Sequence, residues 1–163
     1  RARGVAAALL NFGGQLLAIG PPPGRPAREA LVASPGDPAI PVLAVPLRDA
    51  SLSTSANSER VPTVAGREAG HLLDPRTGAH GPFSGSVSVL AASGALADVL
   101  STAWAVEGPA RFRRSDPASP LRRAGAVAFA VPDRGGGSET LTDRPFQRLR
   151  PPARIADAAI PNP

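Results

Sequence analysis

A single well-bounded helix among strand-length apolar runs constrains this chain more than any other feature. Ser93 offers a capping hydroxyl, Gly94 to Glu107 follows with helical spacing, and Gly108-Pro109 closes the segment. Leu96, Val99, Leu100, Ala103 and Val106 recur at the intervals of an apolar stripe. Elsewhere the apolar runs are short and are cut by 17 glycines and 20 prolines. Parallel strands need a crossover between them, usually a helix, and few of these runs are separated by one. The expected fold is therefore α+β, with a mostly antiparallel sheet and the Gly94–Glu107 helix packed on it.

Along the chain, Val5 to Gly20 reads as two apolar strands around the turn Asn11-Phe12-Gly13-Gly14. Pro21 to Arg28 is a loop, because its prolines hold neither helix nor central strand. Ala30 to Ser34 predicts a short strand. Val42 to Thr54 carries β-type residues broken at Pro46, an edge position or a bulge. Ser55 to Gly70 is a polar connector, and His71 to Leu73 is a short strand stopped by the turn Asp74-Pro75-Arg76-Thr77-Gly78. Ser86 to Leu90 alternates as a half-buried strand does. Arg111 to Arg123 reads as a short helix interrupted by prolines, Ala124 to Val131 as a strand, and Thr140 to Leu149 as a last strand.

Composition narrows the function classes. Leu, Ile, Val and Phe number 37, enough for a small core. No apolar run reaches the roughly 18 residues of a membrane span. The absence of cysteine excludes a disulfide scaffold, a thiolate metal site and a cysteine nucleophile. All 18 basic residues are arginine, and the net charge is +5. A basic surface fits nucleic acid, but the arginines are scattered and only five Phe and one Trp could stack on bases. Nucleic acid is therefore not an expected partner. No methionine occurs and the chain opens at Arg1, so a fragment is expected, with any export signal lying upstream.

Three clusters hold residues able to do chemistry. Asp98, Ser101 and Thr102 lie on the helix, with residues four apart on one face. A carboxylate with hydroxyls suits a hard cation such as Mg²⁺, although such a trio on a helix also occurs as plain solvated surface. His71 stands three residues before Asp74, and an imidazole that titrates near neutrality suits a general base. The plain alternative is a strand-end histidine before a turn. Ser53-Thr54-Ser55-Ala56-Asn57-Ser58 reads as a hydroxyl-rich loop, able to bind a phosphate or sugar or to serve only as a turn.

The order of these segments is more specific than any one of them. LLNFGGQLLAIG, then STSANSER, then GHLLDPRTG, then SVSVLAASGALADVLSTAWAVEGP resembles the C-terminal half of the ApbE family, the flavin transferases. The resemblance covers about Val5 to Gly108 closely and the following strands more loosely. HLLDPRTG followed some twenty residues later by LADVLST is its most specific pair. On this reading residues 1–150 are the C-terminal portion of the transferase domain and 151–163 a Pro/Ala-rich tail.

The resemblance implies a Mg²⁺-dependent enzyme that splits FAD and transfers FMN to a threonine of a partner protein. It places the metal on Asp98, Ser101 and Thr102, and a candidate base at His71. It implies flavin-nucleotide contacts at Leu73, chiefly through its backbone, and also at Ser55 and Asp74. It further implies action at the extracytoplasmic or periplasmic face of the inner membrane, with attachment through an upstream lipoprotein signal. Two positions depart from the family pattern: Ala56 stands where a glycine is usual, and Gln15 where an acidic residue is common. The alternatives are a non-catalytic flavin-binding or redox-assembly module of the same fold, and an arginine-rich interaction fragment.

Overall fold

The computed structural model describes residues 4–57, 70, 72–81, 83–108, 123 and 125–132, with strand backbone at 63–64, 67–68 and 139–140. The first hairpin forms where glycine demands it. β1 (Ala8–Phe12) and β2 (Gln15–Ile19) pair antiparallel across Gly13-Gly14. Both glycines have positive φ, as the two-residue turns that match strand twist require. Asn11 Oδ1 accepts the Gly14 N–H at 3.1 Å.

β3 (Arg28–Ser34) and β4 (Asp37–Leu47) form a separate antiparallel pair. Pro46 does not break β4; it stands in register with Glu29. With β3 as its one partner among the described residues, β4 has an open edge there, where a residue without an N–H is tolerated. The irregularity in this pair lies opposite Val32 to Ser34, where Val42 and then Pro38 to Ile40 are the extra residues of β4. The expected single run from Val42 to Thr54 is two strands, divided at Arg48-Asp49. There Asp49 takes a φ of 47°, and its carboxylate accepts the Gly20 N–H at 2.9 Å.

β5 (Ala50–Ala56) extends through what the sequence suggested was a hydroxyl-rich loop. Ser53 to Ala56 are strand residues paired with β8 (Gly85–Ala91), and their hydroxyls find partners across the sheet and on the helix. Ser58 lies outside the described residues. β6 (Thr63–Val64) and β7 (Arg67–Glu68) make a two-residue pair. β9 (Val127–Pro132) joins β8, and β10 (Glu139–Thr140) joins β9. The main sheet has the order β1-β2-β5-β8-β9-β10 with every neighbour antiparallel. The fold is α+β, as expected. The proposed helix between Arg111 and Arg123, nearly all of the last strand and the tail fall outside the described residues.

The sheet has a partner on each face. Ala18, Leu52, Phe129 and Val131 cluster with Ala30, Val32, Leu43, Val45 and Leu47 of the β3–β4 pair. On the other face Val87, Val89, Ala128 and Ala130 pack against Leu100, Trp104 and Ala105 of α1 (Gly94–Glu107). β8 is covered on both sides, so every residue but the partly buried Leu90 is buried, its serines included. Gly85 opens it at a φ of 148°, and a methyl group there would run into the Val131 carbonyl oxygen. Gly85→Ala should cost about 1–3 kcal/mol. A thermal melt within a degree of the parent would contradict this.

α1 begins and ends where the sequence placed it. Ser93 caps it by accepting the Leu96 N–H, and Gly108 N–H returns to the Trp104 carbonyl. Its buried face differs from the predicted stripe. Ala97, Leu100, Ser101, Trp104, Ala105 and Val106 are buried, whereas Val99 is 64% exposed. The cause is size. β5 presents Ser51, Ser53 and Ser55 toward the helix, and Ala97 and Ser101, both fully buried, let the backbones approach closely.

Candidate functional site

The serines of β5 that face α1 each commit a hydroxyl to a named partner. Ser51 Oγ donates to the Leu16 carbonyl at 2.7 Å. Ser53 Oγ donates to Asp98 Oδ1 at 3.1 Å. Ser55 Oγ lies 2.9 Å from Ser101 Oγ and 3.1 Å from Thr102 Oγ1. Helix and strand therefore meet through a polar seam that ends at Asp98 and Thr102. Gln15, immediately after the Gly-Gly turn, reinforces the helix start by donating Nε2 to the Gly94 carbonyl at 2.7 Å.

The segment from Leu72 to Gly78 arrives at the same place. Leu73 bridges to His80 across a turn in which Asp74 N–H donates to the Ala79 carbonyl and Gly78 N–H to the Asp74 carbonyl, both at 2.8 Å. Asp74 Oδ1 accepts the Arg76 N–H at 2.9 Å and Nε at 3.0 Å, and Oδ2 accepts Nη2 at 2.8 Å. Asn57, at the end of β5, anchors the segment. Its Nδ2 donates to the Phe83 carbonyl and its Oδ1 accepts the Leu72 N–H.

These elements enclose a cleft of about 490 Å³, lined by Asp74, Pro75 and Arg76 on one side and by Asp98, Val99, Thr102, Ala103, Val106 and Glu107 on the other. Its size is in the range of ligand sites. Asp98 and Thr102 thus share a space with Asp74. Ser101 does not line the cleft; fully buried, it lies behind Thr102. Ser55 touches Thr102 from beneath, and Leu73 is half-exposed beside the cleft wall's Asp74. His71 lies outside the described residues.

The charges differ in kind. Asp74 is compensated: the Arg76 side chain, and then its backbone N–H, hold the carboxyl below its ordinary 3.8, while Asp74 raises the Arg76 guanidinium in return. The folded carboxyl titrates below its unfolded value, so the clamp is intact above about pH 4 and is lost as pH falls through the lowered value. Arg76→Ala should move the Asp74 carboxyl upward in a ¹³C NMR titration; an unmoved titration would contradict the clamp. Asp98, by contrast, pairs with no cation among the described residues.

On the α1 wall the donors at the cleft are the Asp98 carboxylate, the Thr102 hydroxyl and, further along the helix, the Glu107 carboxylate. No three His, Cys, Asp or Glu side chains converge among the described residues. Such a set fits a hard cation that keeps water and takes phosphate oxygens, as Mg²⁺ does, and does not fit zinc. The departure at Ala56 costs nothing in backbone terms. Ala56 is an ordinary strand residue opposite Ser86, without the positive φ that would call for glycine.

The ApbE family model matches residues 1–115. The chain belongs to the ApbE family. It is 41% identical over 110 residues to the FAD:protein FMN transferase of Rhodobacter capsulatus, covering 66% of this chain and 20% of that protein. It also resembles the apo crystal structure of the flavinyl transferase ApbE from Pseudomonas stutzeri, with 30% identity and a TM-score of 0.59, covering 85% of this chain and 42% of that one. The ApbE protein of Thermotoga maritima gives 28% identity and a TM-score of 0.58, over 82% and 42% of the two chains. The chain thus spans well under half the length of these relatives.

Sequence reasoning overlooked several contributors to the cleft. Val99, Ala103 and Val106 form its apolar wall, having been assigned to the core. Ser53 was placed in a hydroxyl-rich loop, and its bond to Asp98 across the strand–helix seam was not foreseen. The period-two serines of SLSTS were the available signal, since alternate small hydroxyls on a strand mark a face that receives a closely packed neighbour.

Proposed function

We propose that the protein carrying this chain is an FAD:protein FMN transferase. A threonine hydroxyl of an acceptor protein attacks the FMN phosphorus of FAD, forming a phosphoester and releasing AMP. The observation that supports this reading most directly is the shared cleft of Asp74, Asp98 and Thr102. Residues distant in sequence bring an unpaired carboxylate and a hydroxyl to a space of nucleotide-binding size.

Asp98 and Thr102 would hold Mg²⁺, which when bound neutralises diphosphate charge and favours attack on phosphorus. Ser55 of β5, itself bonded to the buried Ser101 of α1, supports Thr102 from beneath. The Asp74–Arg76 clamp fixes the turn that forms the opposite wall, and a guanidinium held in place there favours a polyanion at the cleft. The Leu73 backbone and Asp74 would contact the nucleotide. Val99, Ala103 and Val106 exclude water from one side of it. His71 would accept the proton of the acceptor threonine. Extracytoplasmic action, with attachment through an upstream lipoprotein signal, belongs to the same proposal.

The test is mass spectrometry of an acceptor fragment incubated with the intact protein, FAD and Mg²⁺. Addition of one FMN phosphoryl unit to a threonine is expected. An unmodified acceptor with FAD consumed, or modification on another residue type, would overturn the reading.

A further inference from the structure

The hydroxyls beneath the cleft cannot all point freely, because each has one proton. Ser101 Oγ lies 3.0 Å from the Asp98 carbonyl oxygen, which can only accept, so the Ser101 proton is directed there. Its longer contact with Ser53, at 3.5 Å, is the weaker use of that proton. Ser101 therefore accepts from Ser55 at 2.9 Å. With its proton directed to Ser101, Ser55 must in turn accept from Thr102 at 3.1 Å. The chain of donors runs one way, from Thr102 to Ser55 to Ser101 to the helix backbone.

We infer that Ser55 is a positioning residue that, with the buried Ser101, turns the Thr102 proton inward and leaves the Thr102 oxygen lone pairs facing the cleft. This rests on the cation reading proposed above. A hydroxyl whose proton pointed outward would present the wrong end of its dipole to a cation. Ser53, on the same side of β5, acts in parallel: it donates to Asp98 Oδ1 and so fixes the carboxylate. Directed chains of this sort polarise one another, which strengthens each member.

The test is Mn²⁺ binding to the intact protein, read as free Mn²⁺ by electron paramagnetic resonance. Ser55→Ala should weaken Mn²⁺ about tenfold, the low end of losses seen when a group supporting a metal ligand is removed. In a Thr102→Ala background the same substitution should change affinity less than twofold, because Ser55 acts through Thr102. Thr54→Val removes a hydroxyl contact with Ser88 on the other face of β5 and should leave affinity unchanged. If Ser55→Ala folds poorly, Ser55→Cys keeps the volume with only a weak donor and should show the same loss. Unaltered Mn²⁺ affinity in the Ser55 variant, or an equal loss with and without Thr102, overturns the inference while leaving the cation reading intact. No saturable Mn²⁺ binding by the unsubstituted protein overturns both.

Discussion

Trp104→Ala should destabilise the fold by about 3–5 kcal/mol, the usual cost of truncating a large aromatic inside a core. Trp104 is fully buried on the sheet-facing side of α1, among Val87, Val89, Ala128 and Ala130. The valines and alanines around it are short and held by a hydrogen-bonded sheet, so they cannot collapse into the space it leaves. Val99→Ala on the same helix should stay within about 0.5 kcal/mol, because Val99 faces the cleft and solvent. Urea unfolding compares the two, and similar midpoints would show that the buried face of α1 has been misassigned.

Asp98→Ala should lower Mg²⁺-dependent flavin transfer by about a thousandfold or more while leaving stability nearly unchanged. A bound cation contributes several kcal/mol to a charged transition state, and Asp98 is the carboxylate in the pair that would hold it. The residue is exposed, and its loss costs the core only the bond from Ser53. Thr102→Ser keeps the hydroxyl and should be milder. Transfer rates with the intact protein, alongside a melting curve, separate the effects. Full activity at saturating Mg²⁺ would remove Asp98 from the site.

The helix was legible because its limits are set locally: a serine cap, a closing glycine-proline pair and no proline between. The first hairpin was legible for the same reason, in two adjacent glycines. The buried face of α1 was not, because burial is decided by what the helix packs against. Apolar spacing favoured Val99, but a strand lined with serines selects Ala97 and Ser101, whose small side chains permit a close approach. The same serines made β5 look like a loop, since hydroxyls favour turns in isolation and are tolerated in a strand here only because the helix and β8 supply their partners. Within the site, Asp98, Thr102 and Asp74 were found through the order of motifs. The apolar wall was not, since Val99, Ala103 and Val106 read as core on spacing alone, and the contact of Ser53 with Asp98 exists only in the assembled fold.

On the proposed function, a divalent cation and a nucleotide diphosphate share the cleft between α1 and the Asp74 turn. The most direct measurement is amide NMR of the intact protein titrated with substoichiometric Mn²⁺ in the presence of ADP, whose paramagnetism broadens signals near the bound ion. The Asp98, Thr102 and Arg76 amide signals should be lost first, with those of the β3–β4 pair on the far side of the sheet retained. Broadening centred on Glu29 and Asp37 of that pair, with Asp98 and Thr102 unaffected, would contradict that placement.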